Sequence, residues 1–172
     1  MHQFHTLKIK EVIKETPSAV SLLLDIPSNL ASLFRFISGQ YVTLKTSIDG
    51  TEVRRAYSIC SSEKSGDLRV AIKTIPEGLF SNFAFSTLEA GAVLDVSPPE
   101  GNFLLKTAAN QSKNYLAFAA GSGITPVFSM LKTVLESEPK SSFTLVYGNK
   151  SEKETLFKEA LDTLTKKHLA RL

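Results

Sequence analysis

The chain has 172 residues, 42% of them apolar, which is enough for one well-buried core and part of a second unit. Its formal charge of +3 comes from 20 Lys and Arg interspersed among 17 Asp and Glu, without the dense basic run of a nucleic-acid footprint, so no nucleic-acid partner is expected. A single cysteine excludes an internal disulfide framework and any four-cysteine zinc or iron–sulfur site in these residues.

From residue 3 to about 106 the pattern is short β-rich runs at 4–12, 19–25, 41–48, 52–59, 67–74 and 93–96. Pro27, Gly39, Asp49-Gly50, Ser65-Gly66-Asp67 and Pro98-Pro99 punctuate them. This predicts a small six-stranded antiparallel barrel. Asp49-Gly50 between two alternating runs is a hairpin signal, because a type I′ turn needs positive φ at both central residues. Residues 78–88 predict one short helix capping the barrel. After a polar spacer at 107–113 the pattern changes to βαβα: a buried apolar strand at 114–120, a helix at 126–136 with Pro126 in its first turn, a strand at 142–147 and a helix at 152–167. Such alternation predicts a parallel sheet with right-handed crossovers, of which two strands are only the first part. Two domains are therefore expected, an antiparallel barrel at 1–107 and a partial α/β domain at 113–172.

Two segments carry chemistry. Arg55-Ala56-Tyr57-Ser58 lies on a strand, where alternation puts Arg55 and Tyr57 on one face: a cation for phosphate and an aromatic face for a planar ring. Gly121-Ser122-Gly123-Ile124-Thr125-Pro126 follows a strand and opens a helix, so its backbone can approach a second phosphate at a helix N-terminus. Lys73 at a strand end and Gly78-Leu79-Phe80-Ser81-Asn82 at the start of the short helix form a further phosphate-suited pair of elements. His2, His5 and His168 lie near the chain ends without acid or cysteine partners at ligand spacing, so no metal site is expected. Cys60 reads as a small buried side chain, and Phe80, Phe83 and Phe85 as core. Residues 1–14 have no apolar signal-peptide core and no run approaches the roughly 20 residues of a membrane span. A cytoplasmic protein without a membrane partner is expected.

The order of these motifs resembles the ferredoxin-NADP reductase superfamily, in particular reductases of the phenylacetyl-CoA oxygenase and ketosteroid hydroxylase type. The resemblance covers essentially the whole chain and implies an FAD-binding barrel followed by an NAD(P)H-binding domain. It assigns Arg55 to the flavin phosphate, Tyr57 to stacking on the flavin ring and Ser58 to its reactive nitrogen, with Ala56 beside them. It assigns the strand end Ala71-Ile72-Lys73 and then Gly78, Ser81 and Asn82 to the second flavin-phosphate motif. It assigns Gly121, Ser122, Gly123 and Pro126 to the nicotinamide-cofactor turn, Thr125 to the meeting point of nicotinamide and flavin, and Asn149 and Lys150 to the next strand end. Tyr57, Ser58 and Thr125 are thus the residues nearest the chemistry. Two positions depart from the family: Ser38 stands before Gly39-Gln40-Tyr41 where Pro is usual, and Lys150 replaces a common Arg, leaving NADH and NADPH both open. The resemblance implies a redox partner such as a ferredoxin domain or oxygenase component; its 2Fe-2S cluster is not in this chain and would belong to a missing C-terminal domain or a partner. The alternative is a flavin-binding or protein-binding electron-transfer subunit without reductase activity of its own.

Overall fold

The computed structural model describes residues 3–172; His2 lies outside them. Six strands form one antiparallel sheet: β1 (His5–Thr16), β2 (Ala19–Asp25), β3 (Tyr41–Ile48), β4 (Thr51–Ser58), β5 (Leu68–Lys73) and β6 (Val93–Val96), in the spatial order β4-β3-β6-β1-β2-β5. A period of two sets the inner face. Leu7 and Ile9, Val20 and Leu22, Val42 and Leu44, Val70 and Ile72, and Leu94 and Val96 all enter one buried cluster. Asp49 (φ 49°) and Gly50 (φ 77°) both adopt the left-handed conformation that the β3–β4 turn requires.

The expectation of a barrel needs correction, because the sheet does not close. Its outer strands β4 and β5 meet only at the isolated bridge Ile59↔Val70, beside which the Cys60 N–H donates to the Arg69 carbonyl at 2.8 Å. Past that point they part. The short helix α1 (Leu79–Thr87) lies over the opening, and Phe80, 1% exposed, packs its ring 5.6 Å from that of Tyr57. With α1 and its Phe80 packed against both β4 and β5, the two edges cannot close on each other past the bridge.

The second unit comprises β7 (Asn114–Ala120), α2 (Ile124–Ser137), β8 (Ser142–Gly148) and α3 (Lys158–Lys167), with β7 and β8 parallel in register from Asn114↔Ser142 to Ala120↔Gly148. Three expectations change here. Helix α2 starts at Ile124, straight out of a tight helical turn at Gly121–Gly123; Pro126 still falls in its first turn, where a missing N–H costs nothing. The helix expected over 152–167 is interrupted. Glu152–Glu154 form a separate 3-10 turn, and Phe157 takes φ 60° before α3 begins. Burial explains the break, since Leu156 is fully buried and Phe157 stacks on Phe128 with centroids 4.4 Å apart. Finally, β7 is buried on one face only. Tyr115, Ala117 and Ala119 pack against the core, whereas Leu116 (62%), Phe118 (71%) and, on β8, Val146 (49%) are exposed.

The two units share a core. Ala19, Cys60 and Ala71 of the first pack with Ile124, Val127, Phe128 and Leu131 of the second. Across this seam the Ser129 hydroxyl donates to the Ser61 carbonyl at 2.6 Å, and the Glu63 N–H donates to Thr133 Oγ1 at 3.2 Å. Ser38 uses groups that proline lacks: its N–H donates to Glu63 Oε1 at 2.7 Å and its hydroxyl to the Leu105 carbonyl at 3.1 Å. Among the described residues no helix is long and apolar enough to cross a membrane.

One buried carboxylate ties the second unit together. Glu138, fully buried, accepts from Ser141 Oγ at 2.7 Å, Tyr115 Oη at 2.9 Å and the Ala108 N–H at 3.1 Å. Burial opposes its charge, but these donors and Lys113 outweigh it and hold the pKa below the ordinary glutamate value. A folded pKa below the unfolded one contributes stability above the ordinary carboxylate range, which is lost as pH falls through the depressed value. Melting temperature should therefore decline below about pH 4. Glu138→Gln should cost about 1–3 kcal/mol at pH 7 and flatten that decline; a mutant with the same acid profile as the parent would contradict this role.

Candidate functional site

Where β4 and β5 part, a cleft of about 380 Å³ opens, lined by Arg55, Tyr57, Lys73, Gly78 and Ser81 among others. Arg55 and Tyr57 share a face because they lie opposite Leu44 and Val42 on β3. The Arg55 guanidinium is exposed and donates only to the Arg54 carbonyl, at 2.7 Å. Among the described residues it has no carboxylate partner, which leaves its charge available to an anion. Burial pushes the Tyr57 phenol up to about 12, with Arg55 pulling modestly the other way. The ring is thus neutral and half-buried, suited to stacking. Lys73 reaches the cleft from β5 and pairs with Glu154 of the second unit at 2.8 Å.

The start of α1 completes the cleft. Gly78 is needed for close packing, since a Cβ there would lie 2.4 Å from Ser81 Oγ and 2.5 Å from an Ile75 side-chain carbon. Ser81 builds the turn: its hydroxyl donates to the Gly78 carbonyl at 3.2 Å and accepts from the Ile75 N–H at 3.3 Å. No side chain caps α1, so its first-turn N–H groups face outward with the positive end of the helix dipole. Two cations, a capless helix start and a neutral aromatic ring fit a planar group carrying a diphosphate.

Other expected site residues lie elsewhere. Ala56 and Ser58 face away from Arg55 and Tyr57, as strand alternation dictates. Ile72 is fully buried in the first core and Ala71 in the shared one, so neither side chain reaches the cleft. Asn82 is exposed and borders a neighbouring depression with Ser47 and Asp49. Cys60, 1% exposed, has its thiol pushed up to about 12, chiefly by burial, which leaves it unreactive.

At the end of β7 the chain turns through Gly121, whose φ is 50°. Gly123 has φ −62°, and neither it nor Gly121 would bring a Cβ within 4 Å of another atom, so the turn's outer side is open. Ser122 is exposed and Pro126 half-buried. Thr125 is buried and its hydroxyl donates to the Ser122 carbonyl at 3.1 Å. From β8, Tyr147 donates its hydroxyl to the Gly121 carbonyl at 3.0 Å and pins the turn. Asn149 beside it keeps a buried Oδ1 with no hydrogen-bond partner, and Lys150 is exposed. The resemblance places Tyr147 at the head of the Tyr147-Gly148-Asn149-Lys150 strand-end motif without this hydrogen bond, and gives no role to Glu154. A strand-end tyrosine registered against Ala119, next to the glycine turn, was the available sign for that bond.

Residues 6–104 match the family described as oxidoreductase FAD-binding domain, and residues 118–172 match the oxidoreductase NAD-binding domain. The chain is 43% identical over 172 residues to a subunit of the 1,2-phenylacetyl-CoA epoxidase of Escherichia coli (strain K12), covering 100% of this chain and 48% of the relative. It is 36% identical over 168 residues to the 3-ketosteroid-9-alpha-monooxygenase, ferredoxin reductase component, of Rhodococcus rhodochrous, covering 96% and 47%. It thus spans about half the length of the curated relatives it matches. The ferredoxin-NADP+ reductase from Plasmodium falciparum with 2′P-AMP shares the fold at a TM-score of 0.82 and 24% identity, over 98% of this chain and 71% of that one. With an open antiparallel sheet bearing the cleft and a parallel unit bearing the glycine turn, the chain belongs to the oxidoreductase FAD-binding domain family, joined to an oxidoreductase NAD-binding domain on the ferredoxin-NADP reductase fold.

Proposed function

We propose that this chain is the flavin- and nicotinamide-binding part of an NAD(P)H-dependent electron-transfer reductase, with a flavin domain at 1–107 and part of a nicotinamide domain at 113–172. The observation that carries the reading is the cleft where β4 and β5 part, which brings Arg55, Tyr57, Lys73 and the uncapped start of α1 together. FAD, when bound there, supplies the chemistry: it takes up a hydride and releases electrons singly. The chain's own residues bind and orient. Arg55 and the first turn of α1 hold the diphosphate, Tyr57 stacks on the ring system, and the Ser58 end of β4 lies toward the ring edge. The open Gly121–Gly123 turn, fixed by Tyr147, receives the nicotinamide cofactor's phosphates, while Thr125, Asn149 and Lys150 border its remainder. Onward electrons go to an iron–sulfur centre or an oxygenase partner; one of the two similar proteins is named as an epoxidase subunit and the other as the ferredoxin reductase component of a monooxygenase. The lone, buried Cys60 is in keeping with a cytoplasmic setting.

Gly123→Val tests the second half of this reading. The position has ordinary φ and no neighbour in the way, so the variant should fold and keep its flavin. Its side chain would stand where a phosphate must reach backbone. In a version extended through the remainder of the nicotinamide domain, anaerobic flavin reduction by NADH or NADPH should slow by about tenfold or more, a barrier increase of at least about 1.4 kcal/mol. An unchanged rate would remove the turn from the site. The 172-residue chain itself should bind flavin but reduce it slowly, because Leu116, Phe118 and Val146 leave one face of the two-stranded sheet uncovered.

A further inference from the structure

We propose that Glu154, carried by the second unit, competes with bound phosphate for Lys73 and makes phosphate affinity in the cleft depend on how that unit is seated. Glu154 Oε2 accepts from Lys73 Nζ at 2.8 Å and from Ser18 Oγ at 2.5 Å. The Ser18 carbonyl in turn accepts from the Thr74 N–H at 2.8 Å and from Thr74 Oγ1 at 3.0 Å. The β1–β2 turn, the end of β5 and the Glu152–Glu154 turn are thereby tied at one carboxylate. The lysine and serine donors hold the Glu154 pKa below its ordinary value, so the group is charged at neutral pH.

The inference rests on the cleft being a flavin-phosphate site. Lys73 is one of two cations lining it, the other being Arg55. An ammonium has three donors, and Glu154 occupies at least one of them while cancelling much of the charge that a phosphate would meet. Phosphate and Glu154 therefore compete for one cation, and linkage makes the competition reciprocal. An occupied cleft loosens the hold on the Glu152–Glu154 turn, which directly follows the Asn149-Lys150 segment. Occupancy of the first cofactor site is thus communicated to the border of the second through a single ion pair.

The test titrates the full chain with FAD, FMN and riboflavin, read by flavin fluorescence. Glu154→Gln keeps the size of the side chain and should bind FAD about 2- to 5-fold more tightly than the parent, the scale of a partly exposed ion pair. The gain should fade at high salt and be absent for riboflavin, which has no phosphate. In a Lys73→Gln background the same substitution should have no effect. Hydrogen exchange over residues 152–156 should quicken when FAD is added to the parent, which a purely structural contact would not do. Equal effects on FAD and riboflavin, a loss of FAD affinity, or an effect that persists without Lys73 would overturn the proposal. Arg55→Ala separates the two layers of argument. If it weakens FAD while Glu154→Gln changes nothing, the Glu154 inference alone fails; if it leaves FAD affinity intact, the reading of the cleft fails and takes the inference with it.

Discussion

Gly39→Ala should destabilise the chain by about 3 kcal/mol or more, the largest loss expected from any single small substitution here. Gly39 has φ 100°, and a Cβ there would lie 1.8 Å from the Phe103 carbonyl oxygen and 2.5 Å from Met130 Cε. The methionine tip can swing aside. The backbone carbonyl cannot move without shifting the segment that joins the two units. Neighbouring residues are held as firmly: the Ile59 N–H donates to the Gln40 carbonyl at 2.9 Å, and the Leu105 N–H donates to the Ser38 carbonyl at 3.1 Å. Gly50→Ala is the control, since its φ is also positive, at 77°, but nothing lies within 4 Å of the added carbon. It should cost only about 1 kcal/mol. Urea unfolding of the two variants measures the difference, and equal midpoints would show that the close approach at Gly39 carries no weight.

Arg55→Ala should have the largest effect on cofactor binding. A charge-assisted phosphate contact contributes about 1.5–3 kcal/mol, so FAD affinity should fall about 10- to 150-fold. Riboflavin affinity should hardly change, because the ring wall formed by Tyr57 and Phe80 is left intact. Arg55 is exposed and makes a single internal hydrogen bond, so thermal stability without cofactor should stay within about 0.5 kcal/mol of the parent. Arg55→Lys should recover part of the loss but not all, since a point charge cannot reproduce the bidentate fork. Equal loss of FAD and riboflavin would mean that Arg55 supports the fold of the cleft instead of holding phosphate.

The strands that matched the sequence pattern residue for residue, β2, β3, β6 and β7, have ends marked by local chemistry. Asp49-Gly50 stops β3, and the polar spacer precedes β7. β1 runs on to Thr16, beyond the expected residue 12, because two bulges, between Ile9 and Glu11 and between Lys14 and Thr16, keep it paired with β2 after its alternation fails. The broken helix before α3 and the open sheet were hidden for a different reason. Each follows from where an aromatic ring packs, Phe157 on Phe128 and Phe80 beside Tyr57, and nothing within either segment encodes the partner. The same division holds at the site. Arg55, Tyr57, Gly78 and Ser81 belong to short local motifs and were legible, whereas the pairing of Lys73 with Glu154 joins two units across the seam. Ala71 and Ile72 came with the strand-end motif, and burial of their side chains in the two cores keeps them from the cleft, while alternation turns the Ser58 side chain to the face opposite Tyr57.

The central claim, that the antiparallel unit holds a flavin in the β4–β5 cleft, is tested most directly by saturating the purified chain with FAD, removing free flavin by gel filtration and recording the visible spectrum alongside Arg55→Ala. The account predicts a yellow chain retaining about one FAD per molecule, with most of it lost in the variant. A chain that emerges colourless, or an Arg55→Ala variant that keeps FAD as tightly as the parent, would contradict it.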